Sequence, residues 1–522
     1  MNFYFRCNFG SSVGIGHLMR TIRLCNILKK KGHSTKIFID KKTSFLKKFS
    51  FEYEEMYPKK FFFSNQNLDA KIFIQKTISK IKNKKTFIIV DDYRLDSRWE
   101  KKIANKLKSK IISIDDFENR KHFSDFIINP KSKYYHHHNS FTLNHQKKKC
   151  TYLLGPRYSI ISKIVKKNKY KKFTVVFNFG GSGNLIYVCK IIKHFEDYFK
   201  FFINFKIIVG PFSKNKGLLY RFANKKKNIS LIENNYNLAK IYSKSHLFVG
   251  AVGTALYEVT AQKLPAIFFQ ISKNQETSLE SLEKMGQRFY FESKYLLDKN
   301  LKKISQLIFL IKKNYFIVLA YIENSKLKID DKGAERIIYE ILGNKKKIKN
   351  NLIKKKKNFL LSDKYRIIKC GFEDINYYID SRNRVENINQ SFKKRAIDKL
   401  DHYLWWFKNN TYSFKLIKNK AILIYLYHRK ITINNKFFLL SGWFTASNKC
   451  SIHDLMYALN WQRKMNLEKK IDGWISFVKK NNRLAQQYSK RLGWKEVNNS
   501  DFLAKQIYKK LKIPKCIIYI RN

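Results

Sequence analysis

Phe3, Phe5 and Cys7 alternate with polar or mixed neighbours, which predicts a short strand, and Leu18, Ile22, Cys25 and Leu28 then recur at helical spacing until Gly32 offers a stop. Apolar runs at 36–39, 87–90, 111–114 and 126–128 follow, each separated from the next by lysine-rich helical sequence. Buried strands alternating with helices predict a parallel sheet covered on both faces. The pattern restarts at 174–179 and continues through runs at 206–209, 230–232, 247–249 and 266–269, so two consecutive Rossmann-like lobes with a cleft between them are expected. The lysine-rich stretch 343–357 has no apolar periodicity and reads as a solvated linker. Beyond it a helix around 402–408, strands at 421–427 and 437–444, and helices starting near 452 and 481 predict a smaller, separate α/β domain. The expected division is 1–155, 156–343, a linker at 344–358, and 359–522.

Composition supports a folded chain too long for one core: 522 residues, 44% hydrophobic and 16% aromatic. A net charge of +68 would by itself suggest a nucleic-acid or anionic-membrane partner, but the lysines are spread over the whole chain and no arginine-rich stripe or nucleic-acid-binding motif accompanies them, so that reading is discounted. No specific nucleic acid is therefore expected, and the charge acts instead by speeding encounter with anionic ligands in a salt-sensitive way. Seven scattered cysteines without a CxxC pair point to a reduced compartment. His136, His137 and His138 lack acidic or cysteine partners at ligand spacing and read as a solvated loop, not a metal site. No signal peptide is evident, and the apolar patch at 307–321 is interrupted by Lys312, Lys313 and Asn314, so no membrane span is expected and the location is cytoplasmic. Nor does a basic amphipathic helix with exposed aromatics stand out.

Candidate chemistry begins at Gly14-Ile15-Gly16-His17-Leu18-Met19-Arg20, the junction of the first strand and first helix. Glycines there let backbone N–H groups approach an anionic guest such as a diphosphate, and His17 is a general-base candidate, against the alternative of a helix-start residue. Polar residues follow the strands at Asp91-Asp92-Tyr93, Asp115-Asp116 and Asn129-Pro130, where the open end of a parallel sheet places ligands; for Asp115 and Asp116 a capping role stands equally. A second Gly-rich turn is Gly180-Gly181-Ser182-Gly183-Asn184. Gly250-Ala251-Val252-Gly253-Thr254 suits a phosphate, and Glu258 a ribose diol, with favourable placement in a helix dipole as the alternative for Glu258.

GIGHLMR, VDDYRLDSRWE, IDD, YLLGPRY, NFGGSGN, GTALYE and Lys273-Asn274-Gln275 occur in the order found in the UDP-sugar hydrolases of pseudaminic acid biosynthesis, which roughly the first 340 residues resemble. The resemblance implies a fold similar to the GT-B glycosyltransferases. It also implies metal-independent, inverting hydrolysis of UDP-2,4-diacetamido-2,4,6-trideoxy-β-L-altropyranose to UDP and free sugar, with no cofactor. Carried over, it makes His17 the base for the attacking water and puts Gly14 and Gly16 beside the substrate. Tyr93 would line the sugar pocket, Gly253, Thr254 and Glu258 would bind the nucleotide, and Asn274 and Gln275 would lie near sugar and diphosphate. Val252 departs from the glycine expected there and would narrow the approach of backbone to phosphate.

The C-terminal portion resembles the GNAT acyltransferases through Asp380-Ser381-Arg382-Asn383, the His402-Tyr403-Leu404-Trp405-Trp406-Phe407 helix and the segment from Asn481 to Trp494. That resemblance implies acetyl-CoA as cofactor, Arg382, Asn383, His402 and Trp406 on the acceptor side, and Tyr488 as proton donor to the thiolate. Residues 445–451 lack the glycines of a pyrophosphate loop, leaving amides at the helix start near Ser451 to contact it. The leading expectation is thus a UDP-sugar hydrolase fused to a GNAT-like domain, with other sugar-pathway enzymes as candidate partners. The alternatives are a GT-B glycosyltransferase using a UDP-sugar donor and a basic nucleic-acid-binding or scaffold protein.

Overall fold

The computed structural model describes residues 1–10, 13–57, 62–81, 84–131, 149–167, 172–199, 203–235, 237–343, 365–392, 394–408, 412–464, 471–511 and 516–521, without the side chains of Asn274 and Arg463. The histidines at 136–138 and the proposed linker at 344–358 lie outside them. The chain separates into two compact units, Met1–Lys355 and Lys356–Asn522.

In the first unit, strands β1 (Asn2–Cys7), β2 (Ser34–Ile39), β3 (Tyr53–Glu55), β4 (Thr86–Asp91), β5 (Lys110–Ile114), β6 (Phe126–Asn129) and β7 (Thr151–Leu154) form a parallel sheet in the order β3-β2-β1-β4-β5-β6-β7. Strand β1 is buried along its whole length, which helices on both faces impose on a central parallel strand. Even Arg6 is enclosed, and it is tolerated because Asp69 and Asp40 take its guanidinium N–H groups. Strand order reverses between β1 and β4, whose register sets Cys7 opposite Asp91. The turn after β1 therefore opens beside the last residue of β4, at the switch point where open sheets bind ligands.

A second parallel sheet repeats the plan with β8 (Thr174–Asn178), β9 (Asn204–Val209), β10 (Ile229–Glu233), β11 (Leu247–Ala251), β12 (Ala266–Gln270) and β13 (Phe289–Glu292), ordered β10-β9-β8-β11-β12-β13. β8 and β11 meet at its switch point so closely that a Cβ on Gly250 would stand 1.9 Å from the Asn178 carbonyl oxygen. After this sheet the chain crosses back. Helix Gly333–Leu342 sets Ala334, Ile337, Ile338 and Ile341 into the core formed by Phe3, Phe5, Leu18 and Ile22 of the first lobe.

Among the described residues no single helix is long and apolar enough to cross a membrane. Helices Asp298–Lys313 and Tyr315–Glu323 are bent by 77° from one another, and the first of them buries its apolar face. The second exposes Phe316 and Ile317, directly after Lys312 and Lys313 of the first.

The second unit is a mixed sheet of β14 (Arg366–Lys369), β15 (Tyr412–Lys418), β16 (Ala421–Ile433), β17 (Lys436–Thr445), β18 (Gly473–Val478), β19 (Lys495–Val497) and β20 (Ile517–Arg521), in the order β14-β15-β16-β17-β18-β20-β19. Two-residue turns at Asn419-Lys420 and Asn434-Asn435, all four residues at positive φ, close the hairpins β15–β16 and β16–β17. Every pairing is antiparallel except β17 with β18, which are joined only from Phe438–Ser441 to Gly473–Ser476.

Candidate active site

Both parallel sheets of the first unit present their carboxyl ends to a cleft of about 610 Å³. Its floor is made by the two predicted Gly-rich turns meeting face to face. A Cβ on Gly181 would come within 3.0 Å of the Ile15 side chain, and one on Gly16 within 3.4 Å of Thr254 Oγ1. Small residues there let the lobes approach until backbone lines the cleft.

His17 lies in the first turn of helix Gly16–Lys30, buried, with one edge on the cleft. Its Nδ1 is 2.9 Å from Asp91 Oδ1 and its ring meets Tyr93 edge to face, centroids 4.6 Å apart. One turn along the same helix, Arg20 grips Asp91 through Nε and Nη2, both at 2.5 Å. Burial alone would raise the Asp91 carboxyl, but Arg20 and His17 overcome it and hold it well below the usual carboxylate range. Nδ1 hydrogen-bonds the Asp91 backbone carbonyl at 3.3 Å, so the proton sits on Nδ1 and Nε2 is left as the acceptor. Arg20 also donates to Asp116, whose carboxylate accepts the Tyr93 hydroxyl. Burial and then the Asp116 charge push the Tyr93 phenol well above its ordinary value, so it stays neutral. One buried network thus runs from His17 through Asp91, Arg20 and Asp116 to Tyr93.

Geometry separates the two neighbours that the sequence left equal. Asp116 lines the cleft, whereas Asp115 accepts the Phe117 N–H in its own turn and pairs with Arg120 and His122. Pro130 and Lys131 line the cleft, but the Asn129 amide donates to Glu118.

On the facing lobe the wall includes Gly180, Gly181, Ser182, Gly253, Thr254 and Gln275. Val252 is not part of it. Its side chain packs in the core with Phe248 and Leu256, so it does not narrow the approach to a phosphate as the sequence comparison suggested. Asn274 contributes backbone to the short turn Lys273–Gln275. Glu258 is buried in the wall and accepts from Arg23 Nη2 at 2.5 Å; Arg23 also donates to the Ile160 carbonyl at 3.0 Å and Ser162 Oγ at 2.8 Å. Arg23 therefore ties helix Gly16–Lys30 of one lobe to helix Ala255–Ala261 of the other and to the crossover between them.

Sequence reasoning missed Arg20 and Arg23 as site residues. The recoverable signal was that Arg20 follows His17 by one helical turn on the cleft-facing side. Arg23 pairs with a residue 235 positions away, and nothing local announces it.

The residues singled out in the second unit hold structural positions. Arg382 donates to the Asn387 carbonyl at 3.0 Å, and Asn383 exchanges two hydrogen bonds with the Ile397 backbone. His402 donates from Nε2 to the Ile375 carbonyl at 2.7 Å and stacks on Tyr378, which Trp406 meets edge-on. Burial pushes its imidazole down to about 4. Tyr488 belongs to a different apolar cluster, with Leu416, Leu455 and Leu459.

At the start of helix Ile452–Lys464, Asp454 Oδ2 accepts both the N–H and the hydroxyl of Ser451, at 2.8 and 2.7 Å, while Ser451 Oγ accepts the Asp454 N–H. This capping box sets a carboxylate where a coenzyme A diphosphate would need bare amides. Burial opposes its ionisation, but hydrogen bonds from Tyr365 and Ser451 and the nearby Lys418 hold Asp454 down to about 2. The residues present do not fit that group. Among the described residues no cluster of His, Cys, Asp and Glu is arranged to hold a metal ion.

No family model matches the chain. An uncharacterized protein of Methanocaldococcus jannaschii is 25% identical over 276 residues, 49% of this chain and 52% of the relative, so the chain spans about half the length of the curated relative it matches. Solved structures similar to it include MurG of Acinetobacter baumannii (9% identity, 66% of this chain and 99% of that one, TM-score 0.43). UDP-GlcNAc 2-epimerase of Neisseria meningitidis bound to UDP-GlcNAc shows 11% identity over 66% and 100% of the chains, TM-score 0.42. A putative UDP-N-acetylglucosamine 2-epimerase of Listeria monocytogenes shows 9% over 68% and 99%, TM-score 0.45. Likenesses at this level convey no activity.

Proposed function

We propose that the first unit hydrolyses a UDP-linked diacetamido-trideoxy sugar to UDP and the free sugar. A water held by His17 attacks the anomeric carbon while its proton passes to Nε2. The bond from that carbon to the diphosphate oxygen breaks, and its electron pair leaves with UDP. Asp91 stabilises the imidazolium that forms, and the backbone of the Gly-rich turns receives the leaving diphosphate. A diphosphate is a good leaving group, so one base suffices and the paired carboxylates of an ordinary glycosidase are not needed. The observation that carries this reading is the His17–Asp91 contact of 2.9 Å at the edge of the cleft. Incubation of the purified chain with UDP-2,4-diacetamido-2,4,6-trideoxy-β-L-altropyranose should release UDP and free sugar together in equal amounts. UDP release only when an acceptor alcohol is added would replace hydrolysis with glycosyl transfer.

For the second unit we propose a GNAT-like sheet that serves as a binding or structural appendage. Support comes from the parallel pair β17 and β18, joined over only part of its length, combined with a helix start closed by Asp454. No acyl-transfer step is assigned to it. Millimolar acetyl-CoA should leave its melting temperature unchanged, and a clear rise would restore the cofactor.

A further inference from the structure

Among the described residues of the first unit, helix Tyr315–Glu323 turns two adjacent large apolar residues outward. Val318 and Ile322 face the protein, each 3% exposed, and the helix axis is pinned where a Cβ on Gly286 would come within 2.8 Å of Ile322 Cα. The opposite stripe carries Phe316, 81% exposed, Ile317, 57% exposed, and Ala320. Isolated surface apolar residues are ordinary, but adjacent Phe and Ile on one helix stripe form a patch.

The patch is bordered by cations. Lys312 and Lys313 close the preceding helix at its 77° bend, Lys167 reaches the Tyr315 hydroxyl at 3.2 Å, and Lys328 donates to the Glu323 carbonyl. Glu323 is the only acid in the helix itself. Nine residues span about 14 Å, under half of a hydrocarbon core of about 30 Å, so the helix cannot cross a bilayer. It carries no cation of its own, but its outward face joins exposed Phe316 and Ile317 to lysines supplied by neighbouring segments, a combination that suits a lipid interface.

We propose that Phe316 and Ile317 insert into an anionic lipid surface, with the flanking lysines on its phosphates. Lipid fits better than nucleic acid because a phosphate backbone offers no apolar layer for these side chains, and better than an acidic protein because the outward stripe is narrow and flanked by long-stemmed cations. Docking is independent of the chemistry assigned to the cleft.

Overall charge will attract this chain to any anionic surface, so the test must read insertion. An environment-sensitive fluorophore is attached at Ile317→Cys in the full chain, with Leu297→Cys, another exposed apolar position, as control. The vesicles contain phosphatidylglycerol and phosphatidylcholine in equal parts, no sugar nucleotide is present, and salt is about 0.5 M to screen the lysines. The label at 317 should shift to the blue and be quenched by nitroxide-bearing lipid while the label at 297 does neither. Phe316→Ser with Ile317→Ser should lower partitioning by about tenfold. No shift at 317, or equal shifts at both positions, overturns the proposal. A shift at 317 without vesicles that grows with protein concentration would also overturn it, by assigning the patch to a second copy of the chain. Because no substrate is used, failure here leaves the hydrolase reading intact, and absence of UDP release leaves docking intact.

Discussion

His17 and His402 are both buried at the edge of a helix, and their surroundings give them opposite properties. His17 is held at Nδ1 by the Asp91 carbonyl at 3.3 Å, with the Asp91 carboxylate 2.9 Å away, and it lines a cleft. His402 is held at Nε2 by a carbonyl and packed among Tyr378, Trp405 and Trp406. The first arrangement sets a carboxylate beside a ring that a ligand can reach, whereas the second encloses the ring among aromatics and makes its protonation costly. Burial alone therefore does not separate a reactive histidine from a structural one. The charge of the partner does, together with access to a space that a ligand can enter.

The largest expected effect is on His17. His17→Ala should lower UDP release by about 10²–10⁴-fold with UDP affinity nearly unchanged, since the role proposed for the side chain is to activate water and not to anchor nucleotide. Asp91→Asn should act in the same direction but less, because the base remains and only its orientation and the stabilisation of its charged form are lost. Stopped assays of UDP release and calorimetric UDP titration on each variant measure both quantities. Equal turnover in wild type and His17→Ala would erase the contrast with His402.

Acid should pull the two units apart. His402 and His428 are each pushed by burial from 6.5 to about 4, so on acidification the unfolded chain takes up protons near 6.5 before the folded one does. Their stabilising contribution is complete above about pH 6.5 and is lost as pH falls through about 4, at up to roughly 3 kcal/mol per histidine. His122 runs the other way: burial lowers it, but Asp115 and Glu100 more than compensate and raise it to about 9. Its contribution is complete below about pH 6.5 and is lost as pH rises through about 9. Hydrogen exchange between pH 7 and 4 should show the second unit losing protection first. Earlier loss in the first unit would contradict this assignment.

Much of the architecture was legible because strands buried on both faces read as continuous apolar runs, as at 87–90 and 247–249. Strands β3, β7 and β13 were not, since they are as short as the legible β6 but mix exposed and half-buried positions instead of forming a continuous apolar run. Helix Tyr315–Glu323 has the composition of a core helix, and only the packing of Val318 and Ile322 leaves Phe316 outward. At the site, His17 and Tyr93 were visible as residues at turns and strand ends. Their partnership through Arg20, Asp91 and Asp116 was not, because it joins segments brought together by sheet order.

Glu258 tests the link between the lobes at smaller scale. Glu258→Gln keeps the shape and some hydrogen bonding but removes the charge that Arg23 holds, so UDP affinity should fall about tenfold, near 1.4 kcal/mol, with the helix intact. Arg23→Met should produce a similar loss although Arg23 was never a nucleotide candidate, because the carboxylate is then left without its cation. If Glu258→Gln weakens UDP and Arg23→Met does not, the ion pair has no part in shaping the nucleotide site.

The smallest effect expected is that of removing the second unit. A chain ending at residue 355 retains helix Gly333–Leu342 and with it the four apolar side chains that complete the first lobe's core. Its UDP release should match that of the full chain within about twofold, since domains with their own cores fold alone. A chain ending at 332 loses Ala334, Ile337, Ile338 and Ile341, each a large-to-nothing deletion in a packed core, and should not fold. The pair of truncations distinguishes a first unit that is self-sufficient from one that leans on the second. A large loss of turnover in the 355 chain, with its melting transition unchanged, would mean that residues of the second unit act in the reaction, and the contrast between a reactive and a structural half of this protein would fall.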